Sequence, residues 1–234
     1  EVPPSEPVVL RILHPEDNDW LLEQEELWEM FGMTQDEARE YIDGEWWGFA
    51  GKYLMVLRPP PGMSDMRDFG DTVAHEWVHH VQRVLEGYFP AYLPCWWSEG
   101  HAEYLGTAVD ALGVLNIDSF ERFERAREMM VRFTSSPEAA NRSTASWYDW
   151  FKGQEPDGLK ETSCSDDIDV YGAGALASEY LIGQYGLGSV MRIHSGFKGS
   201  VDWETRVSKV YGKSPATLNH EMAEYIRSFT DLFD

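Results

Sequence analysis

His75 and His79 frame a His-Glu-x-x-His pattern inside the run Thr72-Val73-Ala74-His75-Glu76-Trp77-Val78-His79-His80. On a helix the two histidines lie about 40° apart around the axis and about 6 Å along it, so both imidazoles reach one ion. Glu76 lies on an adjacent face, where its carboxylate could take a proton from a metal-activated water without ligating the metal. A zinc ion that does hydrolytic chemistry takes three protein ligands and leaves one position open. Glu99, twenty positions after His79, is the natural third. It is far enough along to belong to the next helix, and close enough for the intervening turn to fold that helix back antiparallel. Glu103, one helical turn beyond, shares the face of Glu99. Its expected role is to hold the outer N–H of a ligating imidazole, and the ordinary alternative is a surface carboxylate. The expected cofactor is one Zn2+ per chain. His80 adjoins His79 and must point elsewhere, which makes it structural or supporting.

The elements that would position these residues follow from periodicity and capping. Val8–Leu13 and Lys52–Arg58 are apolar and β-branched enough for strands, the first ended by Pro15 and the second by Pro59, Pro60 and Pro61. The backbone of Tyr53 to Val56 is either a sheet edge that accepts an extended peptide or an ordinary core strand. Between the strands, Asp17 or Asn18 can cap a helix that stops at Gly32, and Thr34 with Glu37 reads as the capping box of a helix over Thr34–Ile42. The metal-binding pattern sits mid-helix in Asp68–Glu86, and Trp96–Leu112 carries Glu99 and Glu103. Helices are then expected over Asp118–Phe133, Ser135–Phe151, Val170–Tyr185, Leu187–His194, Trp203–Tyr211 and Pro215–Phe233, with a surface loop over Lys152–Asp169. Ser214 suits the last helix's cap and Pro215 its first position. Periodicity by itself supports a few strands before residue 60 and mostly helix after residue 68.

Composition narrows the partners. Forty-one acidic residues against nineteen basic ones give a formal charge of −22 over 234 residues. That charge repels phosphate backbones and anionic lipid surfaces, so nucleic acid is not an expected partner. No stretch has the length and apolarity of a membrane span. Cys95 and Cys164 match no zinc-finger spacing and are either a disulfide or two buried thiols. Glu1 in place of Met, with Pro3, Pro4 and Pro7 in an acidic opening, reads either as a tether behind a removed signal peptide or as a trimmed boundary. The first alternative would place the protein outside the cytoplasm.

The run His75–His79 followed by Trp96-Trp97-Ser98-Glu99-Gly100-His101-Ala102 resembles the gluzincin metallopeptidases, most closely the peptidase MA-like domains related to aminopeptidase N. Those domains carry a Trp-x-x-Glu-Gly-x-Ala motif after the His-Glu-x-x-His helix. Tyr171-Gly172-Ala173-Gly174-Ala175 resembles the Tyr-x-x-Gly-Ala start of the family's later helix, and Tyr211-Gly212-Lys213-Ser214 extends the likeness. The resemblance implies an α+β, thermolysin-like zincin fold: a small N-terminal β-containing lobe (1–67) over a larger helical lobe (68–234), in one domain. It also implies that Tyr171 stabilises the oxyanion, with His101 and His194 as rival donors. The chain departs from the family before the metal helix. Gly44-Glu45-Trp46-Trp47-Gly48 stands where aminopeptidase N relatives have Gly-x-Met-x-Asn, which leaves Glu45 as a candidate amine anchor and aminopeptidase action unsupported.

The function these readings favour is zinc-dependent hydrolysis of peptide bonds in a peptide or protein substrate, with Glu76 as general base. The alternatives are a catalytically silent zinc module that binds a peptide or protein, and a zinc hydrolase of a non-peptide substrate. Trp46-Trp47 and Trp96-Trp97 could line a cleft or pack a core.

Overall fold

The computed structural model describes residues 9–12, 48–50, 54–58, 70–86, 93–113, 142–156, 168–195 and 201–230, and the isolated positions 34, 36, 37, 39, 124, 127 and 128. Among the described residues three strands, β1 (Val9–Ile12), β2 (Gly48–Ala50) and β3 (Leu54–Leu57), precede seven helices. These are α1 (Gly70–Glu86), α2 (Cys95–Gly113), α3 (Thr144–Gly153), α4 (Ile168–Tyr185), α5 (Leu187–His194), α6 (Trp203–Tyr211) and α7 (Pro215–Thr230).

Local chemistry sets the helix ends. Ser143 Oγ accepts from Ser146 N at 3.2 Å to open α3, Asp202 Oδ1 from Thr205 N at 2.8 Å to open α6, and Ser214 Oγ from Thr217 N at 3.2 Å to open α7. Each satisfies one of the N–H groups that a helix start leaves without a partner. Gly212, at φ 67°, ends α6 in the left-handed conformation that a side chain disfavours. The Thr34/Glu37 capping box also forms: Thr34 N donates to Glu37 Oε2 at 2.7 Å, and Glu37 N to Thr34 Oγ1 at 3.3 Å. Most of the helix it was expected to start, and all of the preceding one, lie outside the described residues.

The core is built by helices. Trp96, Trp97, Trp147, Phe151, Leu176 and Leu181 are fully buried, and the rings of Trp96, Trp97, Phe151 and Trp203 meet edge to face with centroids 4.9–6.1 Å apart. Trp96-Trp97 is therefore core and lines no cleft, while Trp46-Trp47 lies outside the described residues. Against this core α2 and α4 cross at backbone contact. A Cβ on Gly100 would lie 2.2 Å from the carbonyl carbon of Gly174, and one on Gly174 would lie 2.4 Å from Trp96 O. Only glycine on both sides permits that approach.

The α+β, two-lobe expectation is corrected by this architecture, because the described chain is mostly helical. Its strands are three or four residues long and form one small sheet, ordered β1-β3-β2, with β1 parallel and β2 antiparallel to β3. The described core beneath that sheet is Met55 and Leu57 packed with Val73 of α1, so the described part of the sheet leans on the helices. Of the two readings of Tyr53–Val56, the core strand is the one that forms, over Leu54–Val56, and Tyr53 lies outside the described residues. β3 is the central strand and pairs on both sides, so it cannot serve as a substrate edge. Among the described residues the sheet's two edges are β1 and β2, and β2 is the one that lies against α1 at Glu76. The bounds of the other described helices follow the expected ones closely, except that α3 begins at Thr144, inside the expected Ser135–Phe151, and most of the expected helix Asp118–Phe133 lies outside the described residues. No described helix is long and apolar enough to cross a membrane.

Candidate metal centre

α1 and α2 pack along each other and bring three donor atoms to one point. His79 Nε2 lies 3.0 Å from His75 Nε2 and 3.2 Å from Glu99 Oε2, and His75 Nε2 lies 3.3 Å from Glu99 Oε2. Atoms bound to one zinc ion at about 2.0–2.1 Å in a tetrahedral arrangement are themselves roughly 3.3 Å apart. The triad therefore has the edge lengths of a zinc ligand set, and it is the one such group among the described residues.

The outer nitrogens explain why the inner ones converge. His75 Nδ1 lies 3.3 Å from Glu103 Oε2, and His79 Nδ1 lies 2.9 Å from Gln82 Oε1. Gln82 Nε2 in turn donates to Ser98 O at 3.0 Å. A carbonyl only accepts, so this last bond turns the amide oxygen of Gln82 toward His79. Both imidazoles can thus carry their proton on Nδ1 and present the Nε2 lone pair inward, the form that binds a metal. Glu103 stands where the helical spacing placed it. Sequence pattern alone does not single out Gln82, although it follows His79 by three residues and so lies on the same helix stripe.

Glu76 is 7% exposed and lies under β2, where a Cβ on Gly48 would be 2.9 Å from its Oε1. Burial raises the pKa of Glu76 above the ordinary carboxylate value, while His79 and His75 pull it back. Tyr171, 39% exposed at the start of α4, has its ring centroid 6.2 Å from that of His75. The rival donors are elsewhere. His194 is buried with Nδ1 on Glu86 Oε1 at 2.5 Å, and His101 is buried with its ring 4.6 Å from Trp97. His80 is also buried, with its ring 5.3 Å from Trp77. Glu45 lies outside the described residues.

The triad's titration carries a prediction. Burial works against a charge on His75, but the hydrogen bonds to Glu103 and Glu99 outweigh it, and the pKa of His75 is pushed up to about 10 in the metal-free protein. Burial likewise opposes a charge on His79, yet the charge of Glu99 raises its pKa. Burial also opposes the charge on Glu99, but His79 and His75 hold its carboxyl well below the usual carboxylate range. With a folded pKa above the unfolded one, the stabilisation from charged His75 is complete below its ordinary value of 6.5 and is lost as pH rises through about 10. Zinc requires the neutral imidazole, so binding at pH 8 should release about one proton or more per ion. Calorimetric titration in two buffers of different ionisation enthalpy measures this. A heat independent of buffer would contradict it.

Comparison with protein-family models, with curated proteins and with solved structures returns no match.

Proposed function

We propose that this chain is a zinc-dependent metallopeptidase in which His75, His79 and Glu99 hold the metal and Glu76 is the general base. The observation that carries the reading is the convergence of three donor atoms with both outer imidazole nitrogens held, directly beside a buried carboxylate. A zinc ion bound there polarises a carbonyl and acidifies a water. Glu76 takes the proton on its carboxylate and passes it to the leaving amine, and its raised pKa suits a group that must hold a proton between the two events. The phenol O–H of Tyr171 donates to the carbonyl oxygen as that oxygen becomes anionic. An extended peptide substrate adds along the open edge of β2, whose Gly48 backbone already lies against Glu76.

The gluzincin-like motifs support this reading, and the helix crossing gives two of them a physical sense. Gly100 follows the ligand Glu99, Gly174 follows Tyr171 by three residues, and the two glycines set the separation of the helices that bear those side chains. Cys95, at the first residue of α2, is disulfide-bonded, and Cys164 is the chain's other cysteine. A disulfide there supports a location outside the reducing cytoplasm.

Metal content tests the ligand set. Protein stripped with chelator, supplied with zinc and dialysed should retain about one ion per chain, as a three-ligand site requires. His79→Ala and Glu99→Ala should each lose it. A wild-type chain that retains no zinc would sink the proposal.

A further inference from the structure

We infer that Gln82 is a positioning residue that locks His79 to the segment bearing Glu99 and thereby sets the metal affinity of the site. The inference rests on the metal-centre reading and goes beyond it. Gln82 is 4% exposed, and both ends of its amide are used: Oε1 lies 2.9 Å from His79 Nδ1, and Nε2 donates to Ser98 O at 3.0 Å. Ser98 immediately precedes Glu99. One side chain on α1 therefore holds the second ligand's ring and grips the backbone next to the third.

The two histidines are supported differently, and the difference has a consequence. Glu103 presents a carboxylate to His75 Nδ1, which both orients the ring and raises its basicity. Gln82 presents a neutral amide to His79, which orients the ring without adding charge. It does what the carboxylate does not: it ties α1 to α2 through a backbone carbonyl. Its part is the mutual register of His79 and Glu99, and so the size of the metal cage. A fourth carboxylate beside Glu76, Glu99 and Glu103 would add like-charge repulsion at a largely buried site, and an amide avoids that.

The test compares zinc dissociation constants of wild type, Gln82→Ala and Gln82→Met, measured by competition with a chromophoric chelator, and records histidine ring 15N–1H correlation spectra of the zinc-loaded wild type. Loss of a partner that orients a ligand weakens metal binding about 10- to 100-fold. Both variants should show that loss, with methionine separating the lost hydrogen bonds from lost packing. In the wild-type spectrum His79 should carry its proton on Nδ1 and bind through Nε2. The spectrum needs no variant, so it decides the matter even if the substitutions impair folding. Wild-type zinc binding with unchanged affinity in a folded Gln82→Met, or His79 bound through Nδ1, would overturn the role of Gln82. A wild type that takes up no zinc would instead overturn the metal centre itself.

Discussion

Gly100→Ala should weaken the protein and its metal site together. The added Cβ would lie 2.2–2.4 Å from three backbone atoms of Gly174, and rigid backbone cannot yield as a flexible side-chain tip can. α2 and α4 must separate. Overpacking of this kind costs about 1–3 kcal/mol, sometimes more, and a loss of about 3 kcal/mol lowers the melting temperature of a chain this size by roughly 6–12 °C. Because Glu99 precedes Gly100 and Tyr171 sits one turn from Gly174, the separation should also weaken zinc binding and move the phenol off its target. Gly183→Ala is the matched control on α4. Nothing lies within 4 Å of a Cβ there, so it should be neutral or mildly stabilising. Equal melting temperatures for the two variants would contradict the close crossing.

Glu76→Gln should lower hydrolysis about 10²- to 10⁴-fold, the range that a positioned general base supplies. Zinc binding should persist, because the carboxylate is absent from the ligand triad. The amide is nearly isosteric and keeps the packing against Gly48, so the melting temperature should barely move. Falling rate with full metal content separates the base from a ligand. Loss of zinc in this variant would assign Glu76 to the metal instead.

How far such a site can be read from sequence depends on the kind of residue. His75, His79, Glu99 and Glu103 were legible because charge and helical spacing confine each to one face, and the structure places the first three within 3.3 Å of one another and Glu103 against the outer nitrogen of His75. Gln82 was not, since a lone glutamine on a helix carries no chemical signature until its two partners are known. Strand order was illegible for a different reason. Local pattern marks Leu54–Leu57 as a strand but says nothing about neighbours, and the pairing with Val9–Ile12 on one side and Gly48–Ala50 on the other is non-local. The α+β expectation failed because it came from the motif resemblance. The motifs constrain two helices and their ligands, and they do not fix how much sheet precedes them. Gly100 and Gly174 read as motif letters until the crossing gave them a steric meaning.

Hydrolysis of peptide bonds by this chain is tested by digestion of a mixed-peptide pool in 18O-enriched water, with products read by mass spectrometry. Zinc-supplied wild type should generate new carboxyl termini that carry the heavy isotope, and both chelator treatment and Glu76→Gln should abolish them. The position of the new termini would show whether the protein trims ends or cuts internally. Labelled termini that persist undiminished in Glu76→Gln, or none at all from a wild type holding its zinc, would contradict the account.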